Sequence, residues 1–259
     1  MKKLAFMFIA LVAILSVSAC RIEKVNNSDE AAKSYTLNLR DFQSIKNYSN
    51  CDIHFTQSDT YKVVLKATPR WYASHTVTAN RGELVITQKE EKKQKGITIL
   101  HFNTTGDGAE LWICAPSLDA ISTAGSGDFY AESNITGKSL ELSISGSGDS
   151  KLKDVTLSGD FQYIVAGSGD IETGTIRARN ASFSISGSGD VKSKLTNVKV
   201  TKLYIAGSGD GTLNFEHCGY AGISIAGSGD VDLCGTLQSL DKSVSGAGDI
   251  DTDKLQLGK

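Results

Sequence analysis

The segment "SISGSGD" at residues 143–149 decides the fold, because close copies of it recur along most of the chain. Its last five residues have six near-identical counterparts, which makes seven motifs. Successive motifs are 21, 21, 20, 20, 20 and 19 residues apart. A period near 20 that drifts by one residue is typical of a solenoid, in which each coil is covered by its neighbours. The seven motifs end at Asp128, Asp149, Asp170, Asp190, Asp210, Asp230 and Asp249.

The residues before each aspartate alternate between apolar and polar. Leu142 and Ile144 stand seven and five residues before Asp149, with Ser143 between them, and most other repeats follow this pattern. Such alternation predicts β-strands, and stacked coils would place equivalent residues about 4.8 Å apart. The apolar positions would then form a ladder through the interior. The sequence therefore predicts an all-β fold, a right-handed parallel β-helix with about 20 residues per coil.

Each motif also contributes two glycines, which together are 14 of the 26 in the chain. Glycine permits a positive φ and a close approach of stacked backbones, so we interpret the motif as a corner that turns the chain once per coil. The serine and aspartate side chains are expected to accept local backbone N–H bonds at the bend. The predicted corner glycines are Gly125, Gly127, Gly146, Gly148, Gly167, Gly169, Gly187, Gly189, Gly207, Gly209, Gly227, Gly229, Gly246 and Gly248.

The same aspartates allow an alternative interpretation as a cation ladder. Stacked carboxylates repel one another unless they are solvated, hydrogen-bonded or bridged by a cation. Calcium prefers six to eight oxygen ligands, however, and each coil supplies only one carboxylate. The structural corner is therefore favoured over a metal site, and no cofactor is predicted.

The first 20 residues, MKKLAFMFIALVAILSVSAC, combine a basic start, an apolar run, small residues and a cysteine. This order resembles a bacterial lipoprotein signal, in which residues 1–19 are removed and Cys20 is lipidated. Acyl chains on Cys20 would hold the protein to a membrane. An ordinary secretory signal with an incidental cysteine is the alternative.

The rest of the chain divides into three predicted parts. Residues 20–33 would be the lipidated cysteine and a polar, flexible tether. Residues 34–99 alternate between apolar and polar residues but lack the glycine–aspartate motif, which indicates an N-terminal β-strand cap and first coils. Residues 100–259 would form the regular β-helix, beginning with a degenerate repeat that ends at Asp107, and 34–259 would be one continuous domain. Helix is nearly absent, apart from one turn in "PRWYASH" at 69–75.

Charge and cysteine content bound the function further. Without Lys2 and Lys3 the chain has 25 basic and 29 acidic residues, a net charge near −4 that argues against a nucleic-acid partner. Cys51, Cys114, Cys218 and Cys234 remain available in a compartment that permits disulfides, and their pairing stays open. The spacing argues against a Cys218–Cys234 bond, because the two lie eight and four residues after their aspartates, an offset of roughly 13 Å at strand rise.

No catalytic arrangement is visible in the sequence. The histidines lack metal-ligand spacing, and no serine stands in a nucleophile elbow. Arg177 and Arg179 lie near Asp170 and Glu172, as in the grooves of polysaccharide lyases and hydrolases, but ordinary surface charge is the favoured interpretation.

The segment "ELWICAPSLDAISTAGSGD" at 110–128, together with the GSGD corners, resembles the auto-transporter adhesin family defined by the head GIN domain. The resemblance covers roughly residues 35–255. It implies a right-handed β-helix and surface or periplasmic residence, and no catalytic residues come with it.

These observations predict a lipid-anchored protein of the bacterial cell envelope, on the outer-membrane, periplasmic or surface face. Its expected role is non-enzymatic, an adhesin-like binding or scaffold surface for a glycan or protein partner. A carbohydrate-active β-helix enzyme and a self-associating structural envelope protein are the alternatives.

Overall fold

The computed structural model describes residues 31–89 and 108–258. The N-terminal part contains β1 (Lys33–Leu37), β2 (Phe42–Tyr48), β3 (Cys51–Gln57), β4 (Lys62–Ala67), α1 (Pro69–Ser74), β5 (His75–Asn80), β6 (Gly82–Gln88) and β7 (Ala109–Ala115). The repeat region contains β8 (Ala120–Gly125), β9 (Phe129–Ala131), β10 (Ile135–Gly137), β11 (Leu140–Gly146), β12 (Ser150–Leu152), β13 (Val155–Leu157), β14 (Asp160–Gly167), β15 (Ile171–Arg177), β16 (Asn180–Gly187), β17 (Val191–Thr196), β18 (Val200–Gly207), β19 (Gly211–Gly227), β20 (Val231–Gly246) and β21 (Ile250–Leu257). The predicted signal peptide, Cys20 and the segment that ends at Asp107 lie outside the described residues.

The repeat region is a stack of parallel coils in strict register. Leu142 lies opposite Ile121 of the preceding coil and Tyr163 of the following one. The same register continues through β16, β18, β19 and β20. The stack makes about seven turns with roughly 20 residues per coil, which confirms the predicted β-solenoid.

The core lies where the alternation places it. Ile144, Val165 and Ile185 form one interior column and are at most 1% exposed. The position after each aspartate also points inward, as Phe129 and Ile171 show. Each fully buried side chain of this size contributes roughly 1.5–3 kcal/mol of transfer free energy, so the stack is stabilised coil by coil.

The first coils are not stacked in chain order. β2 lies between β6 and β8, and β3 lies between β7 and β9, all in parallel register. The coil beneath that of Asp128 therefore comes from residues 42–57. β8 pairs with β2 on one edge and with β11 on the other.

Antiparallel strands cover the N-terminal end of the stack. β4 pairs with β7 and in turn with β1, while β5 pairs with β6. The predicted single turn at 69–75 is the short helix α1, whose first turn is capped by Thr68 Oγ1 accepting the Trp71 N–H at 3.1 Å. This cap shields strand edges that an open coil would expose to other chains.

Candidate functional site

The corner glycines are required by the stacking of the coils. Gly167 has a φ of 148°, and a Cβ there would lie 1.9 Å from the carbonyl oxygen of Gly146 in the preceding coil. Gly169 has an ordinary φ, but its Cβ would lie 2.2 Å from the Gly148 carbonyl oxygen. The first position therefore requires glycine both for its positive φ and for the close approach of the preceding coil's carbonyl. The second position requires glycine for the close approach alone.

The aspartates of the motif form a ladder of hydrogen bonds from coil to coil. The backbone N–H of Asp170 donates to Asp149 Oδ1 at 3.0 Å, and the N–H of Asp190 donates to Asp170 Oδ1 at 2.8 Å. The same bond joins the later pairs up to Asp249. The sequence predicts that the carboxylates accept N–H groups within their own turn; this is wrong, because they accept the N–H groups of the next coil. From Asp128 to Asp230, one oxygen of each motif aspartate therefore accepts a backbone N–H of the next coil.

This ladder begins one coil before the first GSGD motif. The Asp128 N–H donates to Asp52 Oδ1 at 2.9 Å, although the Asp52 corner, "NYSNCD" at 47–52, has no glycine. The buried Asn47 amide shapes this corner by donating to the Cys51 carbonyl at 2.7 Å. Burial raises the pKa of the Asp52 carboxyl above its ordinary value. Sequence reasoning missed Asp52, and the one available signal was Ile45 seven residues before it.

A groove of about 400 Å³ runs beside the ladder across four coils. Its walls are the aspartate column and the outward residues two positions further along each coil. We call it the ladder groove, and its lining is Asp149, Ser150, Lys151, Asp170, Ile171, Glu172, Asp190, Val191, Lys192, Asp210 and Thr212.

Charges of both signs meet in the ladder groove. Lys192 Nζ lies 2.9 Å from Glu172 Oε1 in the preceding coil, and this lysine lowers the pKa of Glu172 below its usual range. The lining holds five carboxylates and two lysines, so it carries a net charge of 2 − 5 = −3 at neutral pH. The groove thus offers regularly spaced acceptors with a few cationic donors between them.

An aromatic stack continues the same outward column toward the cap. The His54 ring lies between Trp112 and Tyr130, with centroid distances of 4.0 and 4.9 Å and nearly parallel planes. His54 Nδ1 is 2.7 Å from Glu132 Oε1. The Tyr130 hydroxyl donates to Asp128 Oδ2 at 2.8 Å, and this bond raises the tyrosine pKa to about 12. The stack is therefore joined to the aspartate ladder at its first motif.

The four cysteines among the described residues, Cys51, Cys114, Cys218 and Cys234, are free thiols. Cys234 lies opposite Asn214, while Cys218 lies opposite Leu237, so the two sulfur-bearing residues occupy different positions along the coil. Burial raises the pKa of both Cys51 and Cys218. Within residues 31–89 and 108–258, no group of three or more His, Cys, Asp or Glu side chains converges on a metal-sized site. Nor does any helix in these ranges have the length and hydropathy to cross a bilayer.

Solved structures with this architecture come from Bacteroides and Parabacteroides species. A putative adhesin of Bacteroides fragilis aligns with a TM-score of 0.71 at 21% identity, covering 85% of this chain and 96% of that one. A putative adhesin of Parabacteroides distasonis aligns at 0.64 and 18% identity, covering 86% and 97%. A protein of the same species described as a putative lipid binding protein aligns at 0.58 and 23% identity, covering 86% and 96%.

At these identities the solved structures establish the fold. No functionally curated protein matches the chain. The family model described as "Putative auto-transporter adhesin, head GIN domain" matches residues 41–224, which is 184 of the 259 residues. The chain therefore belongs to the family of auto-transporter adhesins with a head GIN domain.

Proposed function

We propose that this protein is a lipid-anchored envelope adhesin whose ladder groove binds a glycan without chemical turnover. The observation that carries the proposal is the in-register column of carboxylates and lysines along one edge of a rigid solenoid. Rungs recur about every 4.8 Å, so a partner with a repeating structure meets an aspartate carboxylate at each coil. Multivalent contact of this kind gains affinity without any single strong site.

The chemistry of the groove favours hydroxyl-rich ligands. Each of the four aspartates in the groove gives one oxygen to the backbone of the next coil and keeps the other as an acceptor, which suits sugar O–H donors. Lys151 and the Glu172–Lys192 pair add donors and acceptors within the same groove. A protein partner is the other outcome that a binding screen distinguishes.

A glycan array probed with the chain from residue 20 onward tests the proposal, since that chain contains every residue of the described fold. The informative variant is Asp170→Asn with Asp190→Asn, because the amide keeps a side-chain oxygen for the ladder while it removes two charges. Asp119→Asn with Glu141→Gln is the matched control, since both residues are exposed and lie outside the groove. We expect the groove variant to lose at least tenfold in affinity and the control to be unchanged. Equal binding by all three proteins would exclude the groove.

Membrane attachment is the second part of the proposal. The support is the sequence "SVSAC" that ends at Cys20 after an apolar run, which resembles a lipoprotein signal. Labelled palmitate is expected to be incorporated into the wild-type protein and to be absent from Cys20→Ala. Incorporation into the variant would place the acyl chain elsewhere.

A carbohydrate-active enzyme is a second candidate, because the groove does bring several carboxylates near two lysines. Glycoside hydrolysis requires a general acid with a raised pKa, whereas Lys192 lowers that of Glu172. The shared oxygens of the ladder also tie each aspartate to the backbone. Release of reducing ends or unsaturated products from an array-positive polysaccharide would establish turnover and overturn the binding role.

A further inference from the structure

The two parts of the molecule carry opposite charge. Residues 31–89, which contain the cap, hold eight Lys and Arg against four Asp and Glu, a net charge of 8 − 4 = +4. Residues 108–258, which contain the repeats, hold 11 against 19, a net charge of 11 − 19 = −8. The net charge therefore changes sign along the solenoid, from positive at the cap to negative in the repeats.

The cap carries a partly exposed aromatic pair on elements that also carry basic residues. The Tyr35 ring on β1 stacks on Tyr72 of α1 at a centroid distance of 4.0 Å, and Tyr72 is 43% exposed. Arg70 stands on the same short helix, and Lys89 Nζ donates to the Ala73 carbonyl at 2.7 Å. We call Lys33, Tyr35, Arg70, Tyr72 and Lys89 the cap patch.

The charges of the cap patch are available to a partner. Lys33, Arg70 and Lys89 are exposed, and none of the three forms an ion pair with another described residue. A shallow cleft of about 240 Å³ adjoins the patch and is lined in part by Leu37, Trp71 and Val77. The cap patch thus combines cationic residues, amphipathic tyrosine rings and a neighbouring apolar cleft. Surfaces that rest on lipid headgroups have this composition.

We propose that the cap patch docks on an anionic lipid bilayer and stands the solenoid upright on it. Tyrosine rings favour the headgroup layer, and lysine and arginine are attracted to anionic lipids. Chain order fits this direction: Cys20 precedes Lys33 by 13 residues, a reach of at most about 45 Å. That part of the argument rests on the proposed lipidation. The last coils, with Asp230, Asp249 and Asp251, would be repelled by the same surface and point away from it.

Vesicle co-sedimentation of the chain from residue 20 with Cys20→Ser tests the patch without any acyl anchor. The probes are vesicles of phosphatidylglycerol mixed with phosphatidylcholine, and vesicles of phosphatidylcholine alone. We expect binding to the anionic vesicles only, weakening as salt is raised. Lys33→Gln, Arg70→Gln and Lys89→Gln together should reduce the partition constant by on the order of a hundredfold, because each basic residue contributes roughly fivefold.

The matched control combines Lys138→Gln, Lys199→Gln and Lys202→Gln, which remove the same charge from exposed repeat residues. Its partitioning should stay within about threefold of the wild type. Equal losses in both triple variants, or equal binding to neutral and anionic vesicles, would overturn the docking surface. Failure of palmitate incorporation at Cys20 would remove the anchor but leave this vesicle result standing, so the two proposals fail separately.

Discussion

The two ends of the solenoid are closed in different ways. At the N-terminal end, β1, β4 and β5 cover the first coils, and Leu65 and Trp71 are at most 3% exposed. At the C-terminal end, no described strand pairs with the outer edge of β21. There Val244 is 41% exposed and Leu257 is 54% exposed, although the equivalents of Val244 in five preceding coils are buried.

The difference shows that a repeat motif does not by itself create a buried core. Val244 follows the same pattern as Ile225 and lies in register with it, yet only Ile225 has a coil on both sides. The inward position two residues earlier holds Lys242, whose Nζ donates to the Ile250 carbonyl at 3.3 Å. An inward-pointing charge at a terminal strand discourages edge-to-edge association. The C-terminal end is therefore protected by charge where the N-terminal end is protected by strands.

The largest expected effect separates an internal corner from the terminal one. Gly167→Val should reduce the free energy of unfolding by about 4 kcal/mol, because its side chain meets the Gly146 carbonyl and its φ is unsuited to valine. Gly246→Val has a similar clash with Gly227, but only the last coil must adjust, and the loss should be about 1 kcal/mol.

Urea unfolding of both corner variants, with and without calcium, is the measurement. Equal losses at the two positions would contradict the difference between the ends. A loss at Gly167 that appears only when calcium is present would favour the cation ladder over the structural corner.

Leucine truncation probes the packing of the two ends directly. Leu65→Ala in the cap should reduce the free energy of unfolding by about 2–5 kcal/mol, since it opens a cavity beneath fully buried residues. Leu257→Ala removes a side chain that is half exposed, and the change should stay within about 0.5 kcal/mol. Thermal unfolding followed by circular dichroism is suitable, and a Leu257 effect as large as that of Leu65 would mean that the last coil is covered in solution.

Two tyrosine–aspartate bonds extend the comparison to pH. The Tyr130 hydroxyl donates a hydrogen bond to Asp128 near the cap, and the Tyr220 hydroxyl donates one to Asp241 at 3.1 Å near the other end. Each hydrogen bond raises the pKa of its tyrosine. For Tyr130 the neutral form is favoured in the folded state, so its stabilisation is present below pH 10 and is lost as pH rises through about 12.

Substitution separates the two tyrosines at neutral pH. Tyr130→Phe should reduce the free energy of unfolding by about 1 kcal/mol, because Asp128 loses a partner. Tyr220→Phe should have no measurable effect, since its bond is exposed to solvent. Difference titration at 295 nm of each variant against wild type gives the missing tyrosine's pKa, and a Tyr130 value near 10 would contradict the bond.

Lys242→Ile is expected to change the stability of the monomer little and its association state more. The monomer should unfold within about 0.5 kcal/mol of wild type, because the site is exposed. An apolar residue there would extend the interior ladder to an open surface, so concentration-dependent dimers are expected by light scattering. Self-association of the wild type at the same concentrations would favour the structural envelope role instead.

Much of the fold could be predicted because the repeat is local. The spacing of Asp128 through Asp249 and the alternation before each of them determine both the coil length and the inward columns, as Leu142 and Ile144 illustrate. The ladder groove could not be predicted, because its walls are outward side chains from four different coils. Stacking of the coils brings these side chains together. Asp52 could not be predicted, because Ser49 and Cys51 stand where the other corners have glycines.

By itself, the amino-acid sequence determined the coil, since a glycine corner and a β-branched column every 20 residues can repeat only by stacking. Only the tertiary structure decided which coil lies beneath which. β2 and β3 pair with both β6–β7 and β8–β9, and no local pattern encodes such a non-sequential parallel pairing. The reason is physical: strand neighbours are selected by the burial of whole faces, which is a property of the assembled stack.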